Sequence, residues 1–88
     1  SFEKIYIASN SSRENVDKIM SYHDINPNLF EGIITRDDVE NKKPHPDMAH
    51  LIFQNNIYSE EEYLMVGDSE VDSTFARKNN IECILVKF

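Results

Sequence analysis

Two carboxylates, Asp68 and Asp72, stand in the stretch Met65-Val66-Gly67-Asp68-Ser69-Glu70-Val71-Asp72. Its apolar start reads as a buried strand, Gly67 as a tight turn and the remainder as a helix. Asp68 then lies in the turn and Asp72 about one helical turn later, so both face the same spot. Hard oxygen ligands beside the carboxyl end of a strand suit Mg²⁺ together with a phosphate substrate. The same residues also fit a plain helix start, with Asp68 or Ser69 as the N-cap. Two more polar residues complete the set. Ser9 follows the strand signal Ile5-Tyr6-Ile7-Ala8, and Lys43 sits in a loop before a helix. Ser9 can donate its hydroxyl to a phosphate oxygen, and the backbone N–H groups of Asn10 and Ser11 can add to that anion site. Lys43 supplies positive charge for a transferring phosphoryl group. Taken singly, Ser9 is most simply an N-cap and Lys43 a solvated loop lysine.

These residues need elements to hold them. Arg13 opens a helix after the cap-rich run Ser9-Asn10-Ser11-Ser12, with Val16, Ile19 and Met20 on its inner face. Asn26-Pro27-Asn28 is a turn, and Ile33-Ile34 beside Gly32 a short strand. Thr35 to Lys43 reads as a polar loop, in which the adjacent Asp37 and Asp38 are plain loop residues. Pro44-His45-Pro46-Asp47 leads into a helix carrying Met48, Leu51, Ile52 and Phe53. Ser59-Glu60-Glu61-Glu62 has capping-box spacing, with room only for a short turn. Tyr63 to Val66 is a strand. Glu70 to Lys78 is a helix with Val71, Phe75 and Ala76 inward, ended by Asn79-Asn80 in the left-handed conformation. Ile81 to Val86 is the last strand. The order β-α-β-α-β-α-β predicts an α/β fold, a Rossmann-like parallel sheet flanked by helices. Strands this apolar are expected to be buried on both faces. In such sheets ligands collect beyond the carboxyl ends of the strands, where Ser9, Lys43, Asp68 and Asp72 fall.

The chain has 88 residues and a formal charge of −7, which argues against nucleic acid and anionic membrane as bulk partners. Its single Cys83 excludes an internal disulfide framework and fits a reducing compartment; its place in an apolar strand suggests packing. No apolar run is long enough to span a bilayer, and a cytoplasmic location is the expectation. The two glycines form neither a dinucleotide-binding loop nor a Walker loop. His23, His45 and His50 show no metal-ligand spacing. Arg13 and Arg36 are expected at the surface.

Three stretches in order resemble the haloacid dehalogenase superfamily of phosphohydrolases, in its β-phosphoglucomutase and phosphoglycolate phosphatase branch. Ile7-Ala8-Ser9-Asn10-Ser11 looks like the second motif, Lys43-Pro44-His45-Pro46-Asp47 like the third and Gly67-Asp68-Ser69-Glu70-Val71-Asp72 like the fourth. The resemblance implies that Ser9, Asn10 and Lys43 bind the phosphoryl group, with Ser9 and Lys43 active in its transfer. It implies that Asp68 and Asp72 hold Mg²⁺, and that the substrate is a small phosphorylated metabolite. The superfamily's first motif, Asp-x-Asp, supplies the nucleophile and the general acid/base, and no Asp-x-Asp occurs here. Residues 1–88 are therefore expected to be the C-terminal part of one core domain. They would lack the central strand and the cap, be inactive alone and need an N-terminal segment or chain to complete them. A phosphomutase of the same branch and a non-catalytic interaction module with a vestigial site are the other readings. A phospho-accepting receiver domain would place its paired acids early and its lysine late, the reverse of the order here.

Overall fold

The computed structural model describes residues 5–54 and 63–85. Their elements alternate as the sequence predicts: β1 (Tyr6–Ala8), α1 (Arg13–Tyr22), β2 (Gly32–Ile34), α2 (Asp47–Gln54), β3 (Leu64–Gly67), α3 (Glu70–Lys78) and β4 (Glu82–Leu85). Single 3₁₀ turns at Pro27–Leu29 and Arg36–Asp38 interrupt the connections. The capping-box spacing at Ser59 lies outside the described residues. No described helix is long and apolar enough to cross a membrane.

The chain divides into two units, Ser1–Glu40 and Asn41–Phe88. In the first, β1 and β2 pair in parallel, with Ala8 opposite Ile34. Helix α1 starts at Ser12, whose hydroxyl accepts the Asn15 N–H at 3.1 Å, satisfying one of the helix's orphan donors. Val16 and Met20 are buried, but Ile19 is 48% exposed. Helical spacing marks a stripe; it does not fix how wide a stripe its neighbours cover.

In the second unit β3 and β4 pair in parallel, with Val66 opposite Ile84, and α3 packs against both. Phe75, Ala76 and Met48 are buried and Val71 is exposed, so the inner face of α3 is narrower than its periodicity suggests. The acidic first turn of α3 (Glu70, Asp72) and its basic last turn (Arg77, Lys78) both complement the helix dipole. The helix ends as expected, with Asn80 left-handed at φ 57° and the Ile81 N–H donating to Ala76 O at 2.8 Å. The buried Asn79 side chain adds a donor to Phe75 O at 2.8 Å.

All pairing among the described strands is parallel, in two sheets of two, as fits a sheet that lacks its central strand. The expectation of burial on both faces fails. Register partners Val66 and Ile84 share one face of their sheet and are 62% and 51% exposed. Apolar composition alone cannot say whether a layer lies on each face.

Candidate active site

Lys43 enters through a closed loop. The Asp47 carboxylate accepts the Asn41 backbone N–H at 3.0 Å and the Asn41 Nδ2–H at 3.3 Å. His45 Nδ1 lies 2.9 Å from the other Asp47 oxygen, and the His45 N–H donates to Lys42 O at 3.0 Å. The Lys43–Pro44 peptide inside this ring is cis. Lys43 Nζ donates to Asp72 Oδ1 at 2.6 Å, with both side chains only 9% exposed. It is not a solvated loop lysine.

Asp72 is the hub of this unit's site. Its Oδ2 accepts the Asp68 N–H at 3.2 Å, and the Ser69 hydroxyl stands 3.5 Å away. Ser69 occupies the N-cap of α3 without a side-chain cap bond of its own. Burial pushes the Asp72 carboxyl up, but the hydrogen bond and charge of Lys43, then the Asp68 N–H and the Ser69 hydroxyl, outweigh it and hold the group below the ordinary carboxylate range. Gly67 lies so close that a Cβ there would sit 2.6 Å from Asp72 Oδ2 and 2.7 Å from its Cγ. Asp68 is exposed at the end of β3. Cys83, partly buried on β4, has its thiol pushed up by burial and then by the Asp72 charge, so it is held as a thiol rather than a nucleophile.

Mg²⁺ binds through one or two carboxylates, keeps several waters and leans on substrate phosphate. Asp68 fits that habit as an exposed hard-oxygen donor. Asp72 already gives one oxygen to Lys43 and the other to the Asp68 N–H, which suits it to fixing the turn that carries Asp68. Among the described residues no three His, Cys, Asp or Glu side chains gather into a metal-binding group.

Ser9 and Asn10 belong to the first unit. The Ser9 N–H donates to Ile34 O at 2.9 Å, and Ser9 Oγ accepts the Ser11 N–H at 3.1 Å. With that lone pair occupied by an internal turn, the hydroxyl hydrogen remains available to an outside acceptor. The Ser11 N–H, expected to help bind an anion, is committed to Ser9.

Sequence reasoning passed over the neighbouring loop. Asp38 is no plain loop residue. One of its oxygens, Oδ2, accepts the Thr35 N–H at 2.8 Å, the Thr35 hydroxyl at 3.1 Å and Arg13 Nη2 at 2.7 Å. Thr35 is fully buried and caps the 3₁₀ turn in return. The spacing Thr35-x-x-Asp38 is a capping-box signal that could have revealed this. The Thr35 N–H lowers the Asp38 carboxyl, burial opposes it, and Arg13 adds to the lowering, with a net value below the ordinary 3.8. A carboxylate lowered on folding adds stability above its unfolded pKa, and that stability is lost as pH falls through the folded value. Asp38→Asn should therefore be less stable than the parent at pH 7, and the two stability curves should converge as pH falls below about 3.8. A constant gap in urea titrations across that range would refute the assignment.

Comparison with known proteins agrees with this architecture. Residues 2–86 match the profile of haloacid dehalogenase-like hydrolases. Over 69 residues the chain is 33% identical to the pyrophosphatase PpaX of Bacillus cereus, covering 78% of this chain and 32% of that protein. It is 37% identical over 57 residues to the phosphoglycolate phosphatase of Colwellia psychrerythraea, covering 65% of this chain and 25% of that one. The chain thus spans about a third or less of these relatives. A subfamily IA hydrolase of the same superfamily from Geobacter sulfurreducens superposes with a TM-score of 0.82 at 26% identity, over 93% of this chain and 38% of that chain. A structure from Lactobacillus delbrueckii, 24% identical with a TM-score of 0.76 over 93% of this chain and 34% of its own, repeats the fold.

Proposed function

This chain belongs to the haloacid dehalogenase-like hydrolases, and from that premise we propose that it is part of a Mg²⁺-dependent phosphohydrolase acting on a small phosphorylated metabolite. The observation that carries the reading is the buried Lys43–Asp72 pair beside the exposed Asp68. A lysine taken out of water and held on a carboxylate adds little to folding that well-packed apolar residues would not supply as well, although loss of one partner alone is costly. It is well suited to meeting the charge of a phosphoryl group.

The nucleophile is an Asp outside this chain. Its carboxylate attacks phosphorus, the ester oxygen leaves, and water then cleaves the aspartyl-phosphate to inorganic phosphate. Ser9 donates its hydroxyl hydrogen to a phosphoryl oxygen, with Asn10 beside it in the turn. Lys43 neutralises charge on the transferring group, and Asp72 holds the Lys43 ammonium in place. Asp68 would hold Mg²⁺, which would supply a Lewis acid to offset repulsion between phosphate and carboxylate.

The test uses the full-length protein with phosphoglycolate, pyrophosphate and p-nitrophenyl phosphate. Phosphate release is expected to require Mg²⁺, to fall to background in EDTA and to return when Mg²⁺ is restored. Residues 1–88 alone should release none. Transfer of the phosphoryl group within a sugar phosphate, without release, would make the protein a phosphomutase. No turnover of any phosphorylated substrate would leave a binding module.

A further inference from the structure

We propose that Asp38, acting through Arg13 and Thr35, is a positioning residue for Ser9. The inference rests on the assignment of Ser9 to phosphoryl binding.

The register Ala8↔Ile34 brings the segments after β1 and β2 side by side. Within the Ser9 turn the Ser11 N–H donates to Ser9 Oγ. The other segment adds further anchors. Ser9 N–H donates to Ile34 O, and the Arg36 N–H donates to Ser11 O at 3.2 Å. The Arg13 N–H, immediately after the turn, donates to Asp37 Oδ2 at 2.8 Å. Arg13 Nη2 reaches back to Ile33 O and to Asp38 Oδ2, each at 2.7 Å. Every one of these bonds needs residues 33–38 in their observed conformation.

Asp38 sets that conformation. Its single oxygen takes both donors of the buried Thr35 and the guanidinium of Arg13, and so joins the loop to the start of α1. Without it the buried Thr35 N–H loses its partner, an expensive state for a main-chain donor. The turn at 36–38 would relax, and the anchors on Ser11 and Arg13 with it. Ser9 would keep its hydroxyl and lose its aim. The Arg13–Asp38 pair is half exposed, so its value lies in geometry more than in Coulomb energy.

A double-mutant cycle in the full-length protein tests this, with kcat/KM read well below the melting temperature. Ser9→Ala, Asp38→Ala and the double variant form the cycle. Asp38→Ala is expected to lower kcat/KM about tenfold, as misplacement of a reacting contact does. In the Ser9→Ala background the same change should cost nothing further, because no hydroxyl remains to be aimed. Equal losses in both backgrounds would show a general structural effect and overturn the proposal. So would an unchanged Asp38→Ala where Ser9→Ala is slow. If Ser9→Ala itself turns over normally, the phosphoryl role of Ser9 fails, and the proposal goes with it while the phosphohydrolase reading stands. Arg13→Gln carries the same cycle should Asp38→Ala not fold.

Discussion

Lys43→Ala in the full-length protein is expected to lower turnover about 10²-fold or more and to destabilise it by about 3–5 kcal/mol. The two losses have separate causes. Turnover falls because the cation facing the phosphoryl group is gone. Stability falls because Asp72 keeps its charge in a setting only 9% exposed, with one oxygen stripped of its partner. Asp68→Asn separates the effects. Asp68 is exposed, so its loss should cost about as much turnover while moving stability by less than about 0.5 kcal/mol. The pair Lys43→Met with Asp72→Leu should run the other way, recovering most of the stability and none of the activity. Denaturant midpoints and steady-state rates on the four proteins decide it. A Lys43→Ala protein that melts like its parent would remove the buried pair as a structural element, and one that turns over normally would remove Lys43 from the chemistry.

Gly67→Ala is expected to be the most damaging single methyl in this unit. The added carbon would meet the Cβ, Cγ and Oδ2 of Asp72, all well inside van der Waals contact. None of these is the far end of a flexible chain. Asp72 is fixed by Lys43 on one oxygen and by the Asp68 N–H on the other. Either the end of β3 or the first turn of α3 must move. Overpacking of this kind costs about 1–3 kcal/mol, before any weakening of the Lys43 bond. Turnover should fall with it, since Asp68 sits on the displaced turn. Urea unfolding of the variant reads the cost, and a change below about 0.5 kcal/mol would mean that the turn yields freely.

The alternation of strands and helices was legible because periodicity, caps and breakers act locally. Parallel pairing followed from the connections. The candidate site residues were legible as types at strand ends. Their bonding was not. Lys43 meets Asp72 across 29 positions, and the Asn41–Asp47 clasp depends on the path of the loop between them. No local signal encodes either. Ile19 and Val71 look like core because helical spacing records an apolar stripe without its cover. Asp38 is a different case. Its capping-box spacing to Thr35 is present in the sequence, although Asp37 and Asp38 side by side read as plain residues of a polar loop. The termination of α3 at Asn79-Asn80 is legible because asparagine's tolerance of the left-handed region is a property of one residue.

The buried pair also bears on heredity. A lineage that no longer needed the reaction could not shed Lys43 or Asp72 one at a time without passing through an uncompensated charge of several kcal/mol. The pair would outlast its purpose, retained by folding alone. Asp68 has no such protection. Exposed at the end of its strand, it could drift as soon as selection on turnover relaxed. In descendants of this chain, the identity of residue 68 would be a better record of whether the reaction still mattered than the lysine and aspartate locked beneath it.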